Sequence, residues 1–91
     1  MNKAELIAGI ADNTNLTKAQ AALALDGFVN VVTNTLANNE KVTILGFGTF
    51  NTGVREARLG RNPLSGAEIK IPRKTIAKFK PGKDLAESVN N

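Results

Sequence analysis

The chain has 91 residues, enough for one small domain, and a domain of that size is marginal without a disulfide, a metal or a partner chain. It contains no Cys and no His, which excludes disulfides and the common metal sites and leaves oligomerisation as the remaining support. The net charge of +4 is unevenly spread: residues 1–40 carry a net −2 and residues 41–91 a net +6, which points the second half at a polyanion.

The first residues, MNKAELIAG, do not read as a signal peptide, because Glu5 and Asp12 interrupt them and no long apolar run follows. No stretch has the length of a membrane-spanning helix. Absence of Cys fits a reducing compartment. The expectation is a soluble, cytoplasmic protein without a membrane partner.

Asn2 to Glu5 reads as a capping box, and Leu6, Ile7 and Ile10 follow at helical spacing until DNTN at 12–15, so a helix is predicted over 3–12. Thr17 to Gln20 is a second capping box, with Leu16 placed as a hydrophobic staple. Ala21, Leu25, Phe28, Val29, Val32 and Leu36 form one apolar stripe, which predicts a helix over 18–37. Two helices joined by a short link make a helical hairpin.

The period then changes to two. Val42 and Ile44 alternate with Lys41 and Thr43, which reads as a strand. GFGTF at 46–50 predicts a sharp turn with Phe47 and Phe50 buried beside it. Its two Gly do not make a nucleotide loop, since the following Lys-Ser/Thr is missing. A second strand is predicted from Thr49 to about Leu59. After a turn at 60–66, Ile69 and Ile71 alternate with Glu68 and Lys70. Ala77 and Phe79 alternate with Lys78 and Lys80, which gives a strand with one core face and one basic face. Pro72 should break the ladder between these pieces. Pro81-Gly82 ends the last strand, and a short helix from Lys83 should turn Leu85 and Val89 inward.

The fold class is thus α+β: a helical base (1–40), an antiparallel sheet (41–54 and 73–81), a protruding β-hairpin arm (55–72) and a C-terminal helix (83–90), in a single domain over 1–91. The arm carries little apolar surface, and all four Phe lie outside it, at 28, 47, 50 and 79. An isolated hairpin is marginal in water, so the arm should project and order on binding. Arg55, Arg58 and Arg61 recur every third residue, which does not fit a flat strand. A strong twist or a bulge at Gly53 would reconcile them. Charges on an exposed edge also serve simply to prevent aggregation, but that role uses Lys more naturally, whereas Arg suits narrow grooves and phosphates.

GRNPLSG at 60–66 has two readings. In one, Asn62-Pro63 starts a turn and Gly66 supplies a positive φ. In the other, Pro63 is an apolar, rigid wedge carried into a DNA minor groove by a cationic arm. The tip alone favours the turn, and the arm behind it favours the wedge.

MNKAELI, GFGTF at 46–50, GRNP at 60–63 and FKPGK at 79–83, in this order and spacing, resemble the bacterial HU/IHF family of DNA-bending nucleoid proteins over essentially the whole chain. The resemblance implies an intertwined dimer with a helical base and a saddle-shaped sheet that sends two arms around DNA. It implies that Pro63 wedges into a base step and that Arg55, Arg58, Arg61 and Asn62 line the minor groove. Lys3, Lys80 and Lys83 would contact the backbone, and Lys70 and Arg73 complete the expected DNA-binding set. Phe28, Phe47, Phe50 and Phe79 would form the dimer core. Gly53, Ala67 and Ala86 stand where the family often has bases, and Ser65 where it commonly has Thr. Arg73, Lys74 and Lys78 are expected to offset the missing charge.

The expected partner is double-stranded DNA, bound with weak sequence specificity and a preference for nicked, mismatched or pre-bent duplex. The dimer would be a homodimer or a heterodimer with a paralogue, in the nucleoid. Lys83, in the first turn of the last helix, is expected to seat a phosphate. No cofactor, metal or small-molecule substrate is expected. An IHF-like site-specific bender is the alternative within the family. Outside it, an RNA-associated module would need exposed aromatics for stacking. An enzyme would need a site that a chain without His, Cys or paired carboxylates does not offer.

Overall fold

The computed structural model describes residues 1–90. The chain forms two compact units, Met1–Asn34 and a second that begins at Thr35.

The first unit holds helix α1 (Lys3–Asp12) and most of helix α2 (Lys18–Ala37). Both start where their capping boxes predict. Asn2 Oδ1 accepts from the Glu5 N–H at 2.9 Å. The second box is reciprocal: Gln20 N–H donates to Thr17 Oγ1 at 3.1 Å and Thr17 N–H to Gln20 Oε1 at 2.9 Å. Each bond satisfies an otherwise orphaned helix donor. Between the helices, Thr14 Oγ1 donates to the Ile10 carbonyl at 2.7 Å and accepts from Leu16 N–H at 3.2 Å. The end of α2 is a left-handed cap. Asn39 has φ +60°, and Glu40 N–H reaches back to the Thr35 carbonyl at 3.1 Å.

The second unit is an antiparallel sheet of three strands in the order β1 (Val42–Ile44), β2 (Gly48–Arg55), β5 (Lys74–Pro81). A separate two-stranded ladder joins β3 (Arg58–Arg61) to β4 (Glu68–Ile71), and α3 (Lys83–Val89) closes the chain. GFGTF makes the predicted turn. Phe47 N–H donates to the Ile44 carbonyl at 2.9 Å, and Gly46 takes φ +85°, the value such a turn requires at its third position.

Three expectations need correction. The strand predicted over 49–59 is two strands. Arg55 faces Lys74 before the gap and Arg58 faces Ile71 after it, leaving Glu56 and Ala57 opposite Pro72 and Arg73. The two sides are equal in length, so nothing is inserted. Pro72 has no N–H, and the ladder lapses beside it. Nor is there a bulge at Gly53, which stays in register with Ile76. Third, the apolar residues of the single chain are poorly covered. Ala21 is its one buried hydrophobic residue among those described, and Phe28, Phe47 and Phe79 are 40%, 42% and 39% exposed. Leu85 is half-buried, but Val89 is 76% exposed rather than inward.

The aromatic residues of the second unit still cluster. The Phe79 ring lies 4.8 Å from Phe50 and 5.3 Å from Phe47, tilted in both cases, which suits the quadrupoles of the rings.

Candidate nucleic-acid interface

In an antiparallel ladder, residues directly opposite share a face and successive residues alternate. Along β2 and β5, Phe50 faces Phe79, Thr52 faces Ala77 and Val54 faces Thr75 on one side. On the other, Thr49 faces Lys80, Asn51 faces Lys78 and Arg55 faces Lys74. Four cations therefore share the face opposite the aromatic one. Lys74 and Lys78, expected only as compensating charges, belong to it as fully as Lys80 and Arg55. Alternation around Phe79 already marked Lys78, but placing Lys74 beside Arg55 required the pairing. Gly53 sits on the same face, and a Cβ there would lie 2.6 Å from Lys78 Cε. The missing side chain makes room for the Lys78 stem. Asn51 Oδ1 is buried on this face with no hydrogen-bond partner.

The arm has its own alternation. Leu59 faces Lys70 and Arg61 faces Glu68 on one side of the β3–β4 ladder. Arg58 faces Ile71 and Gly60 faces Ile69 on the other. In the gap between the two ladders, Arg73 Nε lies 3.5 Å from Glu56 Oε1. The expected set thus divides within each ladder: Arg55 and Lys80 share a face of the sheet, Arg61 and Lys70 share a face of the arm, and Arg58 lies on the other face of the arm.

The two remaining lysines are placed by helix starts. Lys3 opens α1 and is ion-paired, its Nζ 2.9 Å from Asp26 Oδ1 on α2. Both groups are largely exposed, so the pair contributes little stability, but it offsets part of the charge Lys3 would offer a phosphate. Lys83 opens α3, exposed, behind Gly82. Gly82 N–H donates to the Phe47 carbonyl at 2.8 Å, which ties this corner to the GFGTF turn.

The tip is an ordered turn. Asn62 N–H donates to the Ala67 carbonyl and Gly66 N–H to the Asn62 carbonyl, each at 2.8 Å. Asn62 Oδ1 accepts from Leu64 N–H at 2.8 Å, so the amide oxygen is used within the turn. Gly66 has φ +72°. The turn reading of Asn62 and Gly66 is correct as local structure, and it leaves Pro63 exposed at the end of the arm.

Among the described residues, no three His, Cys, Asp or Glu side chains gather to hold a metal ion, and no helix is long and apolar enough to cross a membrane. A basic sheet face, a basic hairpin and an exposed apolar tip define a protein built to meet a polyanion.

Comparison with known proteins narrows that class. Residues 1–90 match the family described as "Bacterial DNA-binding protein". The chain is 48% identical over 90 residues to DNA-binding protein HU of Clostridium pasteurianum, covering 99% of both. It is 44% identical over 91 residues to DNA-binding protein HRL18 of Rhizobium leguminosarum, covering 100% of both. Its fold superposes on an Anabaena HU–DNA cocrystal structure with a TM-score of 0.92 at 36% identity, covering 98% of this chain and 97% of that one. The chain belongs to the HU/IHF family of bacterial DNA-binding proteins.

Proposed function

We propose that the protein is a dimeric architectural factor that binds duplex DNA through the minor groove, bends it by wedging Pro63 into a base step, and helps organise the bacterial chromosome. The observation that carries this reading is the tip: a hydrogen-bonded turn that holds an exposed Pro63 at the end of a cationic hairpin. IHF/HU proteins are established minor-groove architectural proteins, so the choice of groove rests on the family. Affinity comes mainly from Lys and Arg neutralising phosphates. Arg55, Lys74, Lys78 and Lys80 are the body contacts favoured by their shared face, with Arg61, Lys70 and Asn62 along the arm and Lys3 and Lys83 at the helix starts. Arg58 and Arg73 serve if the arm twists or the Glu56 pair opens. The exposed Phe28, Phe47 and Phe79 support a second copy as the missing cover for the core. Sequence specificity is weak, because the minor groove carries a degenerate code. Nicked, mismatched and pre-bent duplexes are favoured, because their deformation costs less.

Pro63→Ala tests the wedge. Unstacking a base step costs a few kcal/mol, and Ala has neither the ring nor the rigidity to hold it open. Energy transfer between the ends of labelled duplex at saturating protein should show much less bending of intact DNA. The defect should shrink on nicked DNA, where the stack is already broken. Full bending of intact duplex by the variant would reduce Pro63 to a turn residue.

A further inference from the structure

The wedge leaves one feature of the tip without a role. Leu64, next to Pro63, is 97% exposed. A single exposed Leu is ordinary on a protein surface, but a frayed loop is not what exposes this one. Its own N–H is held by Asn62 Oδ1, and the turn around it is closed by Gly66 to Asn62, Asn62 to Ala67, and Ala67 N–H to Ser65 Oγ at 3.3 Å. The backbone is fixed so that Pro63 and Leu64 stand side by side at the extremity of the arm. Their sequence neighbours Arg61, Asn62, Ser65 and Gly66 are charged, polar or without a side chain, and offer no apolar packing within the chain. Leu is also among the side chains that unstack base steps in minor-groove complexes.

We propose that Leu64 is a second insertion element, which packs beside Pro63 at the opened base step of bound duplex DNA and sets how fully intact duplex is bent. The proposal rests on the reading of Pro63 as a wedge. Pro63 supplies rigidity and Leu64 supplies apolar area, so the two together cover more of the exposed base faces than either alone. Leu64 carries no charge, so its contribution is independent of salt, unlike that of every Lys and Arg on the arm.

The test compares Leu64→Gln, Leu64→Met and Pro63→Ala with the unaltered protein on intact and nicked labelled duplexes, reading affinity over a salt series and bending at saturation. Position 64 is solvent-exposed, so none of these changes threatens folding. Leu64→Gln should weaken binding to intact duplex by roughly tenfold, the order expected for losing part of a buried Leu. It should reduce bending, leave the salt slope unchanged and change little on nicked duplex. Leu64→Met, still apolar, should behave nearly as the unaltered protein. Normal binding and bending by Leu64→Gln, an equal loss on nicked duplex, or a changed salt slope would each overturn the proposal. A defect in Pro63→Ala with none in Leu64→Gln removes only the role of Leu64. Normal bending by Pro63→Ala overturns the Pro63 wedge, and with it the proposal that Leu64 inserts as its second element, whatever Leu64→Gln does.

Discussion

Replacing Gly48 by Ala adds one methyl group at the tightest point of the sheet. Gly48 is buried at the start of β2, paired with Pro81. A Cβ there would lie 2.6 Å from the Lys80 carbonyl oxygen, 2.6 Å from Phe79 Cζ and 2.7 Å from Phe79 Cε1. Comfortable carbon contacts are about 3.5–4.0 Å, so the overlap is on the order of 1 Å on both sides. The ring could swing aside, but it also packs on Phe47 and Phe50. The carbonyl is backbone of β5 and moves only with the strand. Overpacking of this kind costs about 1–3 kcal/mol. Against it, Ala restricts the unfolded chain and returns about 0.4–1 kcal/mol. The difference runs from about 0 to about 2.6 kcal/mol of net loss, nearer the upper end because the close carbonyl is backbone, and for a domain of this size each kcal/mol lowers Tm by about 4–8 °C. Thermal unfolding by circular dichroism should show that drop. Protein concentration must be matched, since a dimer's Tm depends on it. Gly9→Ala is the counterpart: it lies inside α1 with nothing within 4 Å of the added Cβ. It should gain about 0.8–1 kcal/mol in helix propensity. A Gly48→Ala protein as stable as the original would refute the packing argument.

Phe47→Ala should eliminate folded protein rather than yield a stable monomer: covered by a second copy, as proposed, Phe47 becomes a core residue whose loss costs about 3–5 kcal/mol, and the single chain has little other core. Sedimentation of the unaltered protein as a folded monomer at micromolar concentration would contradict this. Lys83→Ala should weaken binding to all duplexes by a similar factor and lower the slope of log affinity against log salt by about one per site lost. A loss that varied strongly with base sequence would make Lys83 a reader of bases instead of a phosphate anchor.

The local signals of this chain were sufficient for its helices. The boxes at Asn2–Glu5 and Thr17–Gln20 place both starts, because a cap is a contact between residues three apart and needs no distant partner. The turn at Gly46 and the lapse at Pro72 were legible for the same reason, one through positive φ and the other through a missing donor. Sequence alone also marked Phe79 and Lys80 as opposite faces of one strand. It could not say what each strand lies against. Only the tertiary structure shows that Arg55 meets Lys74, that Glu56 meets Arg73, and that Arg58 and Arg61 fall on opposite faces of the arm ladder. A one-residue slip in register would reverse every one of those faces. Burial was likewise beyond reach. The apolar residues at 28, 47 and 79 look like core in sequence, but whether one chain can cover them depends on how its elements are spread in space. In this protein those faces stay partly open on the single chain.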